Sequence, residues 1–213
     1  MSTRELDNLF IGIAGIIGAG KSTLATALAR QMNLDVHYEP VDANVYLADF
    51  YRDTPRYSFA MQIYLLNRRF EQHQEIIWRG RGAVQDRTIY EDSIFAKMLS
   101  ESGLMEPRDY HTYLRLFKNM SRFMCKPSAI VYLDVSPERA LERIHERDRG
   151  VETAVTIEYL RALYAEYEHF VQDISRRIPT IRVSWEEYGD VEEMAKVIER
   201  EYSRASYLSE VKV

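Results

Sequence analysis

The run Gly15-Ile16-Ile17-Gly18-Ala19-Gly20-Lys21-Ser22, followed by Thr23, fits the pattern G-x-x-x-x-G-K-[ST]. In such a loop the glycines let backbone N–H groups curl around phosphate oxygens, and the helix that follows points its positive end at them. Lys21 then reaches the outer phosphates, and the Ser22 hydroxyl can ligate Mg²⁺. Four of the chain's 9 glycines, Gly12, Gly15, Gly18 and Gly20, crowd into this stretch, Gly12 belonging to the preceding apolar run. The motif points to a nucleotide and leaves the chemistry open, because GTPases, motor ATPases and small-molecule kinases share it. No guanine-reading Asn-Lys-x-Asp occurs, which argues against a GTPase. One small domain favours phosphoryl transfer over a mechanochemical ATPase.

Moving a phosphoryl group to a hydroxyl requires a carboxylate near the acceptor oxygen, cations around the phosphoryl group, and Mg²⁺ between the phosphates. Glu39, in Tyr38-Glu39-Pro40, and the pair Asp86-Arg87 can supply the first two. Asp134 is a further acid, but it precedes Ser136-Pro137-Glu138 and can equally cap a helix. Arg139, Arg143 and Arg147 recur every four residues, with Arg149 just beyond. Glu138, Glu142 and Glu146 interleave with them, so a solvated face of paired charges is the plain alternative for Arg139. Arg147-Asp148-Arg149-Gly150 reads as an arginine lid over the phosphates, with Gly150 as its hinge. The five histidines show no ligand spacing, and Cys125 has no metal or nucleophile partner.

In an open α/β sheet ligands gather at the carboxyl ends of the strands, so these residues have to stand there. Short apolar runs at 9–13, 36–38, 83–85, 129–133 and 180–183 read as strands, each followed by a polar residue. Helical periodicity fills 22–32, 57–79, a pair within 91–124, then 137–147, 157–178 and 191–204. This is an α/β fold: a doubly wound, five-stranded parallel sheet flanked by helices, carrying a phosphate loop and an arginine-rich lid, with residues 1–213 as one domain.

The chain has 213 residues, 46% hydrophobic and 29% charged, a composition that folds rather than stays disordered. No run approaches the roughly 20 apolar residues of a membrane span. Lys and Arg number 28 against 33 Asp and Glu, a net charge of -5, so no basic field draws it to nucleic acid. Phosphate binding must therefore be local. The single Cys125 rules out an internal disulfide, and residues 1–7 lack the apolar run of a secretory signal, so the expected location is the cytoplasm.

Taken in order, the phosphate loop, Tyr38-Glu39-Pro40, Tyr51, Tyr57 to Gln62, Asp86 to Asp92, the arginine segment through Glu152, and Glu187-Tyr188 resemble the deoxyribonucleoside kinase family over nearly the whole chain. The stretch Asp86 to Lys97 looks closest to the bacterial deoxyadenosine and deoxyguanosine kinases, which implies a purine deoxynucleoside as substrate and ATP with Mg²⁺ as donor. The resemblance implies that Glu39 and Arg87 meet the 5′-hydroxyl, with Glu39 or Asp86 taking its proton, and that Asp86 and Ser22 serve the metal. Tyr51 and Glu152 would hold the 3′-hydroxyl. Gln62 and Asp92 would bond the base with help from Arg69, and Glu187-Tyr188 would meet the adenine of ATP.

Physical chemistry agrees on two of these. An amide offers a donor and an acceptor on one edge, and a buried Asp92 needs a cation such as Arg69. Phe59, Phe70 and Phe95 can sandwich a base, though each taken singly reads more readily as core. The resemblance also implies a homodimer, and Met61, Leu65, Leu66, Leu114, Phe117 and Met120 offer more apolar surface than one sheet face needs. Two rivals remain. One is a nucleoside monophosphate kinase such as thymidylate kinase, against which Glu39 speaks, because a carboxylate repels an incoming phosphate dianion. The other is a non-catalytic nucleotide-binding module.

Overall fold

The structure, a computed structural model, describes residues 9–39, 44–147, 155–187, 189–203 and 208–211. Strand β1 (Phe10–Ala14) is buried along its whole length. Its sequence, Phe-Ile-Gly-Ile-Ala, is apolar on both faces, as the centre of a parallel sheet covered on both sides requires. β3 (Ala83–Asp86) pairs with it on one side and β4 (Ala129–Asp134) on the other. β2 (Asp35–His37) lies outside β3, and β5 (Thr180–Ser184) outside β4. A sixth strand, β6 (Leu208–Val211), joins β5 and completes the all-parallel order β2-β3-β1-β4-β5-β6. The five strands expected from the sequence are all present, and β6 adds an edge to them. Because the chain winds to opposite sides of β1, the switch point falls at the carboxyl end of β1, where the phosphate loop begins.

The helices are α1 (Lys21–Met32), α2 (Leu47–Arg52), α3 (Thr54–Arg79), α4 (Asp92–Glu101), α5 (Pro107–Ser121), α6 (Pro137–Arg147), α7 (Ile157–Ile174) and α8 (Val191–Ser203). A short 3₁₀ turn, Ile89–Glu91, leads from β3 into α4. The local chemistry at their ends is plain. Asp53 accepts from the Arg56 N–H at 3.4 Å, Pro55 sits in the first turn of α3, and Gly80 at φ 61 stops that helix. Thr156 caps α7 by accepting from the Tyr159 N–H at 3.2 Å. The core runs from Ile11, Ile13, Val131 and Leu133 in the sheet to Leu24, Leu28, Leu160, Leu163 and Ile198 on the helices, all fully buried. Trp185, after β5, packs into this core. Asp134 is committed to structure, 2.8 Å from Arg182 and accepting from Tyr164 Oη at 3.0 Å. Among the described residues no helix is long and apolar enough to cross a membrane.

Candidate active site

The β1–β3 register sets Ile13 opposite Asp86, so Asp86 ends its strand beside the phosphate loop. Gly18 and Gly20 take φ values of 83 and 90, which only glycine adopts at no steric cost. A Cβ on Gly18 would come within 2.4 Å of the Ala140 carbonyl oxygen, because α6 rests directly on the loop. Ile16 and Ala19 are buried and anchor the loop in the core. Lys21 Nζ donates to the Ile16 carbonyl at 2.8 Å. Burial, reinforced by Arg87 and only partly offset by Asp86, lowers the Lys21 pKa to about 8. Ser22 Oγ donates to Asp86 Oδ2 at 2.5 Å, while the buried Asp86 Oδ1 has no hydrogen-bond partner among the described residues. A hydroxyl beside a carboxylate oxygen is a hard oxygen donor set that fits Mg²⁺.

Arg87 has a left-handed backbone, φ 65, rare for a residue with a Cβ. Its N–H still donates to the Ile13 carbonyl at 3.0 Å, and the turn aims its side chain into the site. There Nε donates to Glu39 Oε2 at 3.1 Å, Nη2 to the Gly15 carbonyl at 3.3 Å, and the guanidinium lies 4.7 Å over the Phe95 ring. Arg69 donates to the other Glu39 oxygen and also contacts Asp92, with both members of that second pair buried. Glu39 is thus a carboxylate bridging two guanidiniums. Burial alone would raise its pKa, but Arg87, Arg69 and Lys21 outweigh burial and hold it at about 2. It is ionised at neutral pH.

A cavity of about 750 Å³ joins these parts. Ile17, Gly18, Gly20, Lys21, Ser22 and Thr23 of the phosphate loop line it together with Glu39, Asp86 and Arg87 and with Tyr51, Gln62, Arg69 and Phe95. Gln62 is 2% exposed, and its Oε1 has no hydrogen-bond partner among the described residues, a buried acceptor at the cavity wall. Asp92 stands behind Arg69 rather than in the wall, and Phe59 and Phe70 are not in the wall either. Met61 and Leu65, which the sequence suggested as surface for a partner, line the cavity instead, and Leu66 is core. Asn44, Phe50 and Tyr159 also line it, and no motif marked them. Glu91 and Tyr167 likewise escaped notice. Glu91 does carry a sequence signal, the capping box Thr88-Ile89-Tyr90-Glu91.

The three arginines of α6 have three separate fates. Arg139 pairs with Glu142 at 2.7 Å and donates to the Glu186 carbonyl at 3.2 Å, outside the cavity. Arg143 is buried and donates to the carbonyls of Ala19, Trp185 and Glu186, tying the phosphate loop to the segment after β5. Arg147 lines the cavity, and Arg143 forms part of the same wall. Glu186, unmarked in the sequence, receives both the N–H and the hydroxyl of Ser136 and so fixes the start of α6. Glu187 is 90% exposed, 3.9 Å from Arg139. Arg149, Glu152 and Tyr188, with Asp148 and Gly150, lie outside the described residues.

Known proteins are similar to this chain in sequence and in fold. A deoxyadenosine kinase of Dictyostelium discoideum is 54% identical over 208 residues, spanning 98% of this chain and 85% of the relative. A deoxyadenosine/deoxycytidine kinase of Bacillus subtilis is 39% identical over 184 residues, spanning 85% and 84%. Among solved structures, a deoxyadenosine kinase from M. mycoides with bound dCTP superposes with a TM-score of 0.82 at 29% identity, covering 92% of this chain and 100% of its own. Residues 11–205 match the family model described as deoxynucleoside kinase, a span that holds the phosphate loop, the Glu39–Arg87 pair and α6 alike, and the chain belongs to the deoxynucleoside kinase family.

Proposed function

We propose that this kinase transfers the γ-phosphoryl group of ATP to the 5′-hydroxyl of a purine deoxyribonucleoside, deoxyadenosine ahead of deoxyguanosine or deoxycytidine, in nucleotide salvage. The observation that carries this is Glu39, held between Arg69 and Arg87 in the cavity that the phosphate loop also lines. A carboxylate at the acceptor suits a neutral hydroxyl and repels a phosphate dianion, which counts against a monophosphate kinase. The 54% identity to a deoxyadenosine kinase supports the choice of base.

In this reading the 5′-oxygen forms a bond to the γ-phosphorus as the bond to the bridging oxygen breaks. ADP leaves with that electron pair, and the hydroxyl proton passes to Glu39. Glu39 is the better base than Asp86, because Asp86 is turned to Ser22 on the phosphate side. Lys21, Arg87, Arg147 and Arg149 carry the charge of the moving group, and the N–H groups of residues 15–23 hold the phosphates. Ser22 and Asp86 would hold Mg²⁺, which when bound neutralises charge on the phosphates. Tyr51 and Glu152 hold the 3′-hydroxyl, Gln62 and the Arg69–Asp92 pair read the base, and Glu187 and Tyr188 face the donor adenine. Arg143 supports the donor side by joining the loop to the segment after β5. Residues 1–213 act as one domain in a cytoplasmic homodimer, with no nucleic-acid partner.

Initial rates with ATP and each of four deoxynucleosides, with dTMP alongside, test the reading. Deoxyadenosine is expected to react fastest, and phosphorylation of dTMP alone overturns it. Glu39→Ala is expected to lower kcat by about a hundredfold or more with little change in the KM for ATP. Unchanged turnover would pass the role of base to Asp86. Light scattering at micromolar concentration is expected to give twice the chain mass.

A further inference from the structure

Arg87 is held from behind as well as from the front. On the side away from Glu39, its Nη1 donates to Tyr167 Oη at 2.6 Å and to Glu91 Oε2 at 3.4 Å. The Tyr167 hydroxyl in turn donates to that same Glu91 oxygen. Glu91 and Tyr167 are both fully buried, and neither lines the cavity. The other Glu91 oxygen accepts from the Thr88 N–H at 3.0 Å, so the acid is fixed within the 3₁₀ turn. Tyr167 is fixed by its ring, stacked on Tyr132 at 5.8 Å and edge-on to Phe95 at 6.3 Å and Phe170 at 6.2 Å.

A second carboxylate so near Arg87 needs a reason, since burying an acid is costly unless it is paired. The reason lies in what happens at Glu39. Once Glu39 takes a proton it no longer counters the charge on Arg87, at the moment when the guanidinium must stay aimed at the reacting oxygens from an unfavourable left-handed backbone. Burial raises the Glu91 pKa, Arg87 and the hydrogen bond from Tyr167 oppose that rise, and the Tyr167 hydroxyl links the acid to Nη1. We infer that Glu91 and Tyr167 are positioning residues that act as one unit, holding the Arg87 guanidinium in place and remaining as its counter-charge while Glu39 is protonated. This rests on the phosphoryl transfer proposed above.

The test is a kinetic cycle of Tyr167→Phe, Glu91→Gln and the double variant, with deoxyadenosine and ATP varied. Tyr167→Phe keeps the ring and removes only the relay. Each single variant is expected to lower kcat about tenfold while the KM for ATP stays within about twofold, the loss of one charge-assisted hydrogen bond felt only in the transition state. The double variant is expected to lose no more than the worse single. Multiplying losses would mean two independent packing effects and would overturn the inference, as would unchanged kcat in a folded single variant. If Tyr167→Phe does not fold, Glu91→Gln alone carries the same kcat criterion. The wild-type rate separates the two levels: a wild-type chain that phosphorylates no deoxynucleoside overturns the functional reading, whereas an active wild type with unaffected variants overturns only the role of the pair.

Discussion

The Ser22 hydroxyl stands 2.5 Å from Asp86 Oδ2, joining the first turn of α1 to the last residue of β3. The bond leaves the second Asp86 oxygen without a hydrogen-bond partner among the described residues. Asp86→Asn keeps the shape and still accepts from Ser22, but removes the charge. The Mg²⁺ concentration for half-maximal rate is expected to rise by tenfold to a hundredfold, on the order seen when a metal site loses a supporting group. A metal titration at saturating substrates checks this, and an unchanged midpoint would take Asp86 away from the metal.

Gly18 and Gly80 make a matched comparison, since both have positive φ, 83 and 61, but only Gly18 is crowded, its Cβ position 2.4 Å from the Ala140 oxygen. Alanine at either position meets a backbone cost of about 1–2 kcal/mol, which lowers Tm by about 2–4 °C per kcal/mol in a chain of this size. Gly18→Ala must also push α6 off the loop, so its KM for ATP is expected to rise as well. Gly80→Ala is expected to leave that KM unchanged.

The Arg69–Asp92 pair is buried on both sides. Arg69→Met alone strands Asp92 in the interior at a cost of about 3–5 kcal/mol, whereas adding Asp92→Ala removes the stranded charge and recovers most of it. Urea unfolding of the wild type, Arg69→Met and the double variant measures this. If the pair reads the base, the stable double variant shifts its preference toward thymidine in a competition assay, and an unaltered profile would show that it does not.

His73 is 1% exposed, its Nε2 accepts from the Cys125 N–H at 3.1 Å, and burial lowers its pKa to about 4. An unfolded histidine binds its proton near pH 6.5, so between those values the unfolded state holds the extra proton. The contribution of neutral His73 is complete above pH 6.5 and is lost as the pH falls to about 4, about 3 kcal/mol in all. Unfolding free energies across that window are expected to fall toward acid, and His73→Phe is expected to flatten the slope there.

How far the sequence could be read follows from the range of the interactions involved. The five apolar strands and the phosphate loop are local patterns, and each stood out within a few residues. β6 and α2 did not: β6 reads Leu-Ser-Glu-Val, polar at its centre instead of an apolar run, and α2 spans 6 residues, under two helical turns. Glu91 was readable in principle, because Thr88 and Glu91 are spaced as a capping box, but its service to Arg87 depends on a partner, Tyr167, that lies 76 residues further along the chain. Tyr167 sits in an aromatic stretch of α7 that looks like any core stripe. Met61 and Leu65 show the limit of apolar patterning from the opposite side. A hydrophobic residue facing a cavity and one facing a partner chain have the same periodicity, and only the fold separates them.

The separation of Arg87 from Tyr167 also bears on how the enzyme comes into being. During synthesis the phosphate loop, Glu39 and Arg87 leave the ribosome early, while the hydroxyl that braces Arg87 is 80 residues behind, and Arg143 follows Ala19 by 124. A nascent chain that has reached β4 already holds most of the groups for the chemistry but not the parts that hold them still. Closing contacts across such long intervals is slow relative to local helix and turn formation. The catalytic arrangement is therefore among the last features to mature, and a chain interrupted before α7 would carry a recognisable phosphate loop with an arginine that has only Glu91 behind it.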